Sequence, residues 1–214
     1  MKILNLYAGI GGNRKLWGDK HEITAVEINE QVAEVYKSYF PNDIVIVGDA
    51  NSYLLENFKE YDFIWSSPPC PTHSRANFWG SKTVDTRNKV YPDMKLYQEI
   101  LFLDNWYEGR YVVENVIPYY KPLIPAKEKD RHLYWTNFNL PNSLNSRHFT
   151  GLCQTGGELG KLEDFHQINL SGYKGSQKKI KIARNLVDYE AGKTILETAL
   201  GIIRKENDKQ LEIF

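Results

Sequence analysis

Short apolar runs recur through the first half of the chain, and each closes on a polar or acidic residue. Lys2 to Tyr7, His21 to Val26, Asp43 to Val47, Asp62 to Ser66 and Arg110 to Val113 each predict a strand. Helical periods lie between them. Arg14 to Trp17 suits a helix, and a second runs from an N-cap at Asn29 to about Phe40, with Val32, Val35, Tyr36 and Tyr39 on one face. A third starts at Pro92 and reaches Trp106, its turns marked by Met94, Tyr97, Ile100, Leu101 and Asp104. Strand and helix alternate, which predicts an α/β fold with a doubly wound, Rossmann-like sheet. After a further strand from Leu133 to Phe138 the periodicity fades. Residues 140–183 are rich in Asn, Ser, Gly and Thr and predict a small appended subdomain on a main domain of residues 1–139. Helical order returns over 184–204, with Ile195, Leu196, Ala199, Leu200 and Ile203 on one face, and 205–214 forms a tail.

Composition narrows this picture only in places. The 214 residues, 42% of them hydrophobic, suit one core and a small appendage. With 27 basic and 27 acidic side chains the net charge is zero, so any nucleic-acid partner must be met by local patches. Two cysteines, Cys70 and Cys153, are too few for a disulfide framework and fit a reducing compartment, with Cys153 read as structural. No run reads as a signal peptide or a membrane span, so a cytoplasmic protein without a membrane partner is expected.

The strand ends carry the candidate chemistry. Tyr7-Ala8-Gly9-Ile10-Gly11-Gly12 reads as strand, glycine loop and helix start, where backbone can approach a nucleotide-like ligand. The spacing lacks the third glycine of a dinucleotide fingerprint, and no Lys-Ser or Lys-Thr pair follows. Glu27 ends the second strand where doubly wound folds present an acid to ribose hydroxyls, and Asp49 follows the third. Cys70, between Pro69 and Pro71 in a polar loop after the fourth strand, is the candidate nucleophile. His73 and Arg75 nearby are expected to favour its thiolate. Glu114, directly after an apolar strand, is a candidate acid whose desolvation would raise its pKa. Arg75, Lys82 and Arg87 lie in a long segment with Phe78 and Trp79 that suits a lid touching a nucleic-acid backbone. Lys174, Lys178, Lys179, Lys181 and Arg184 form a stretch without acids that suits phosphates.

In this order the blocks resemble the cytosine carbon-5 DNA methyltransferase family. Tyr7 to Gly12 resembles its cofactor loop, Pro68-Pro69-Cys70 its nucleophile loop, Glu114-Asn115-Val116 its substrate glutamate block, and Asn185-Leu186-Val187 with Gly192 the block that closes the cofactor pocket. The resemblance implies a S-adenosylmethionine-dependent methyltransferase fold and activity on double-stranded DNA. Cys70, Glu114, Asn115 and Arg131 would be catalytic. Tyr7, Ala8, Gly9, Gly11, Gly12, Glu27, Ile28, Asp49, Ala50, Pro69, Asn185 and Val187 would hold the cofactor, and Arg75, Lys82, Arg87, Lys174, Lys178 and Lys179 the DNA. It also implies a flipped target base, residues 140–183 as a reduced recognition region that reads a short or relaxed target or is helped by a second subunit, and a bacterial or phage enzyme with a homodimer or restriction-enzyme partner. Pro71 stands where the family usually has glutamine, and Arg131 is the one clear arginine where a pair is common. The RNA-modifying branch, typified by a Cys-Phe-Thr tripeptide that is absent here, is the alternative, beside a non-catalytic cofactor-binding module.

Overall fold

The computed structural model describes residues 1–75, 91–150 and 156–202. Seven strands form one sheet: β1 (Lys2–Leu6), β2 (Glu22–Glu27), β3 (Ile44–Val47), β4 (Phe63–Ser66), β5 (Arg110–Val116), β6 (Lys127–Lys129) and β7 (His132–Thr136). Their order is β3-β2-β1-β4-β5-β7-β6. The first five run parallel, while β7 is antiparallel to β5 and β6 antiparallel to β7. The helices are α1 (Glu30–Tyr39), α2 (Ala50–Asn57), α3 (Lys95–Trp106), α4 (Glu158–His166), α5 (Lys179–Arg184) and α6 (Tyr189–Ala199). This is the doubly wound, Rossmann-like sheet.

Both faces of the central strands are apolar, as a parallel sheet covered on two sides requires. Leu4, Leu6, Ile64 and Val113 pack under Leu54 of α2 and Leu96, Ile100 and Leu103 of α3. Their alternates, Ile3, Phe63, Trp65 and Val112, pack under Val187 and α6 residues Ala191, Ile195 and Leu196. In α3 the inward face is Leu96, Tyr97, Ile100 and Leu103, whereas Met94 and Leu101 point outward, so the helix is rotated from the face read in the sequence.

Other elements exceed the sequence reading for identifiable reasons. The segment Arg14 to Trp17 tightens into a 3-10 turn over Asn13–Leu16. Helix α2 buries only Ala50 and Leu54 and starts because Asp49 Oδ1 accepts from Ser52 N at 2.8 Å, a cap rather than a periodic signal. β6 is Lys-Glu-Lys, a strand only through its pairing with β7. Helices α4 and α5 lie in the stretch of faded periodicity, where Leu162, Leu170, Tyr173, Ile182 and Ala183 share an apolar cluster with Ile10 of the glycine loop and Val32 of α1.

Two close approaches tie the chain's end to its beginning. A Cβ on Gly12 would lie 2.7 Å from Val187 O, and one on Gly192 would overlap the Asn13 backbone, while Trp17 Nε1 donates to Gly192 O at 3.1 Å. Gly192→Ala should therefore destabilise the protein by about 1–3 kcal/mol through overpacking. Gly160→Ala, on an open face of α4, should be neutral or stabilising by up to about 1 kcal/mol. Urea unfolding checks both: the Gly192→Ala midpoint falls at constant slope, and the Gly160→Ala midpoint does not fall.

Candidate active site

Four adjacent parallel strands are in register at Val26, Leu6, Ser66 and Val113. The next residue of each, Glu27, Tyr7, Ser67 and Glu114, lines a single cavity of about 410 Å³ at the carboxyl edge of the sheet. That volume is in the range of small-molecule sites. Because β7 runs the other way, its first residue, His132, reaches the same edge.

On one side the cavity has features that suit a nucleoside. Gly9 adopts φ +54° with open space where a side chain would stand. Its N–H donates to Glu27 Oε2 at 3.0 Å, and Asn29 N donates to Oε1 at 2.9 Å, so the carboxylate is fixed at the cavity wall with lone pairs remaining for a ligand. Hydrogen bonds from Ser52 hold the Asp49 carboxyl below the usual carboxylate range, so it faces the cavity ionised. Ala8, Gly12, Ala50, Pro69, Asn185 and Val187 complete this half, with Ile28 exposed at the rim. Gly11 is a correction. It lies outside the lining, and at φ +82° a side chain there would run into Phe40 and Tyr36, so its glycine serves packing against α1.

Behind the loop, Arg14 and Asp43 form a buried two-point ion pair (2.9 and 3.0 Å) that Tyr36 joins by donating to Asp43 Oδ2 at 2.8 Å. A second buried carboxylate escaped the sequence reading. Glu99 of α3, 1% exposed, accepts from the Tyr7 hydroxyl at 3.0 Å and from the Ser66 hydroxyl. It thereby joins the cofactor loop, where Tyr7 has φ +55°, to the end of β4. Burial pushes the Glu99 carboxyl up and the Tyr7 phenol far above its ordinary value. The available signal was the Glu99 position among Leu96, Ile100 and Leu103 on the buried face of α3.

The other side holds the candidate nucleophile and the candidate acid. Cys70, Glu114 and Asn115 all line the cavity. Glu114 is 6% exposed, and buried Asn115 donates from Nδ2 to Pro68 O at 3.0 Å, which braces the loop carrying Cys70. Burial pushes the Cys70 thiol up and the Glu114 charge pushes the same way, while the Cys70 backbone N–H and then Lys181 pull it back, leaving it raised. The expected field from His73 and Arg75 is not there. The His73 ring, 1% exposed, turns into the core with Nδ1 hydrogen-bonded to Tyr120 OH at 2.6 Å, and burial lowers its pKa, so it stays neutral. Arg75 Nε donates to Pro118 O at 3.1 Å. Arg131 is a further correction: it is exposed and lies outside the cavity, because strand alternation turns His132 inward instead, with Nε2 3.5 Å from Glu114 Oε1.

The basic stretch divides. Lys174 and Lys178 are exposed, Lys179 Nζ donates to Ser171 O at 3.1 Å, and Arg184 forms a two-point pair with Glu158 (2.7 and 2.6 Å). Lys181, Gln177 and Arg184 line the cavity itself. Lys82, Arg87 and Cys153 lie outside the described residues. Among the described residues no group of three His, Cys, Asp or Glu could hold a metal, and no helix is long and apolar enough to cross a membrane.

Comparison with known proteins gives a family match for the first part of this arrangement, the glycine loop, Glu27, Asp49 and Cys70 included. Residues 1–101 match the C-5 cytosine-specific DNA methylases. The methyl donor of that family is S-adenosylmethionine, and the glycine loop, the two carboxylates and the cavity volume fit it. Among curated proteins, the tRNA (cytosine(38)-C(5))-methyltransferase of Mus musculus is 32% identical over 89 residues, covering 39% of this chain and 21% of that protein. The Homo sapiens protein of the same name is 26% identical over 117 residues, covering 49% and 30%. The chain thus spans less than a third of the length of these relatives. A solved mutant of DNMT2 from Spodoptera frugiperda, 32% identical, covers 54% of this chain and 35% of its own, with a TM-score of 0.37.

Glu27→Ala removes a charged acceptor from the cofactor wall and from two loop N–H groups. We expect calorimetry to show S-adenosylmethionine binding weakened by about tenfold to a hundredfold, the equivalent of about 1.5–3 kcal/mol. An unchanged dissociation constant in a folded variant would remove Glu27 from the cofactor site.

Proposed function

We propose that the protein is a S-adenosylmethionine-dependent cytosine carbon-5 methyltransferase acting on double-stranded DNA. The observation that supports this most is the meeting of Cys70 and Glu114 in the cavity that carries the cofactor-type glycine loop. A thiol and a buried carboxyl are the pair this chemistry needs. Bound S-adenosylmethionine supplies an electrophilic methyl group.

The protein's own groups do the rest. The Cys70 thiolate adds to carbon 6 of the cytosine, forming an S–C bond and pushing electrons toward carbon 5. Glu114 holds the ring's third nitrogen and gives it a hydrogen bond or proton as negative charge develops, with His132 beside the carboxylate. Carbon 5 takes the methyl group, displacing the donor's thioether, a base takes the carbon-5 proton, the S–C bond breaks to return the thiolate, and the third nitrogen gives its proton back to Glu114. The ring must leave the helix stack for this, so the target base is flipped. Asn115 and Pro69 keep the Cys70 loop and the pocket wall in place. Residues 140–183, with Lys174 and Lys178 exposed, form the recognition region, and its small size calls for a short target or a second subunit.

A second reading, methylation of transfer RNA, is favoured by the curated relatives, which act on tRNA cytosine as named. Base-resolution mapping of 5-methylcytosine after incubation with S-adenosylmethionine and either duplex DNA or total tRNA separates the two. We expect methylation of DNA in one sequence context, abolished in Cys70→Ala and reduced at least about a hundredfold in Glu114→Gln, since general acid catalysis contributes about that much. Methylation of tRNA alone would move the substrate to RNA, and none on either would reject the reaction. Because the Cys70 pKa is raised, thiolate is scarce at neutral pH and grows as pH climbs toward that value, so single-turnover rates should rise from about pH 7 to about pH 9.

A further inference from the structure

The Cys70 site has an electrostatic problem that the N–H of its own loop relieves only in part, since the thiol remains raised. Before a base is bound and Glu114 has taken up the proton it donates, the thiolate must form against the Glu114 charge, in a cavity that already raises the thiol by burial. Two negative charges at close range in a poorly solvated space oppose each other. The titratable groups on this side of the cavity are Glu114 from β5, His132 from β7, and Lys181 and Arg184 from α5, while His73 and Arg75 follow Cys70 in its own turn. His73 is packed away from it, Arg75 is turned to the Pro118 carbonyl, His132 is engaged by Glu114, and Arg184 by Glu158. Lys181 has no such carboxylate partner among the described residues, and it lines the cavity.

We infer that Lys181 is a positioning residue for the proposed reaction, its ammonium holding the Cys70 thiolate against the charge of Glu114. This rests on the reading of Cys70 as the nucleophile. Helix α5 fixes the lysine: Ile182 and Ala183 are buried beside it, and the Arg184–Glu158 pair ties the helix to α4. The Lys181 side chain remains exposed, so its charge is delivered from a rigid backbone at the cavity rim. Lys181 lowers the Cys70 pKa while Glu114 raises it, so the two act in opposition on the same sulfur. The part of the chain beyond residue 101 thus contributes to the chemistry as well as to closing the pocket.

The test needs neither cofactor nor nucleic acid. Iodoacetamide alkylation of the Cys70 peptide, followed by mass spectrometry from about pH 6.5 to about pH 10, reads the thiolate fraction. Lys181→Met should move the profile to higher pH and slow alkylation at about pH 7.5 by about two- to fivefold, a modest factor because the lysine is solvated. Lys181→Arg should restore it, high salt should shrink the difference, and Glu114→Gln should move the profile the opposite way. A Lys181→Met protein that melts like the wild type and alkylates with the wild-type profile overturns the inference. So does one whose profile is unchanged while S-adenosylmethionine binding weakens, which would assign Lys181 to the carboxylate of the cofactor. A methyl-transfer assay that fails while the alkylation profile shifts would reject the proposed reaction and leave the Lys181 field standing.

Discussion

The register of four parallel strands is the constraint from which the site follows. Hydrogen bonding aligns Val26, Leu6, Ser66 and Val113 in one row, so the next residue of each strand emerges at one level of the sheet. Glu27, Tyr7, Ser67 and Glu114 are 107 or fewer positions apart in sequence and line one cavity because of that row. A slip of one residue in β5 would turn Glu114 to the opposite face and replace it with Val113 or Asn115. The register is held because both faces of the strands are packed: Ile64 and Val113 cannot exchange faces with Trp65 and Val112 without emptying one cluster and crowding the other.

Polar contacts then fix the loops that the row releases. Glu27 spans two backbone N–H groups of its own edge, Asn115 holds the Pro68 carbonyl, and Glu99 joins the ends of β1 and β4 from α3. Each of these carboxyl or amide groups is buried or half-buried and hydrogen-bonded, so losing one leaves a desolvated partner rather than a solvated loop. The Arg14, Asp43 and Tyr36 group does the same behind the glycine loop, and as a buried pair it specifies geometry more than it adds stability. Pocket and fold are coupled through these groups.

The electrostatics of the cavity follow from burial. Asp49, held by Ser52, stays ionised on the cofactor side, while Cys70 is kept as a thiol on the other. A protonated thiol is protected from oxidation and adventitious alkylation, since the thiolate is the reactive form. At the sulfur, burial and the Glu114 charge from the sheet act upward, and the Cys70 backbone N–H and Lys181 of α5 act downward.

Much of this was readable along the chain. The alternation of apolar runs with helical periods determined the α/β class, Asn29 announced the start of α1, and the glycine loop, Glu27, Asp49, Cys70 and Glu114 stood out because each lies at or a few residues past the end of an apolar run. Local pattern carries such information, since strand ends in a parallel sheet share one edge whatever the strand order. Other assignments needed the assembled molecule. Gly11 reads like Gly9 and Gly12 in sequence, but the approach of Phe40 and Tyr36 gives it a packing role. His132 rather than Arg131 enters the cavity because β7 is antiparallel and its alternation is fixed by β5. His73 lies three residues from Cys70 and turns into the core toward Tyr120, while Lys181, 111 residues away, reaches the cavity. Sequence proximity determines which groups are neighbours along the backbone. The direction of each side chain, and so the field at the sulfur, is decided by which face its element packs against the sheet.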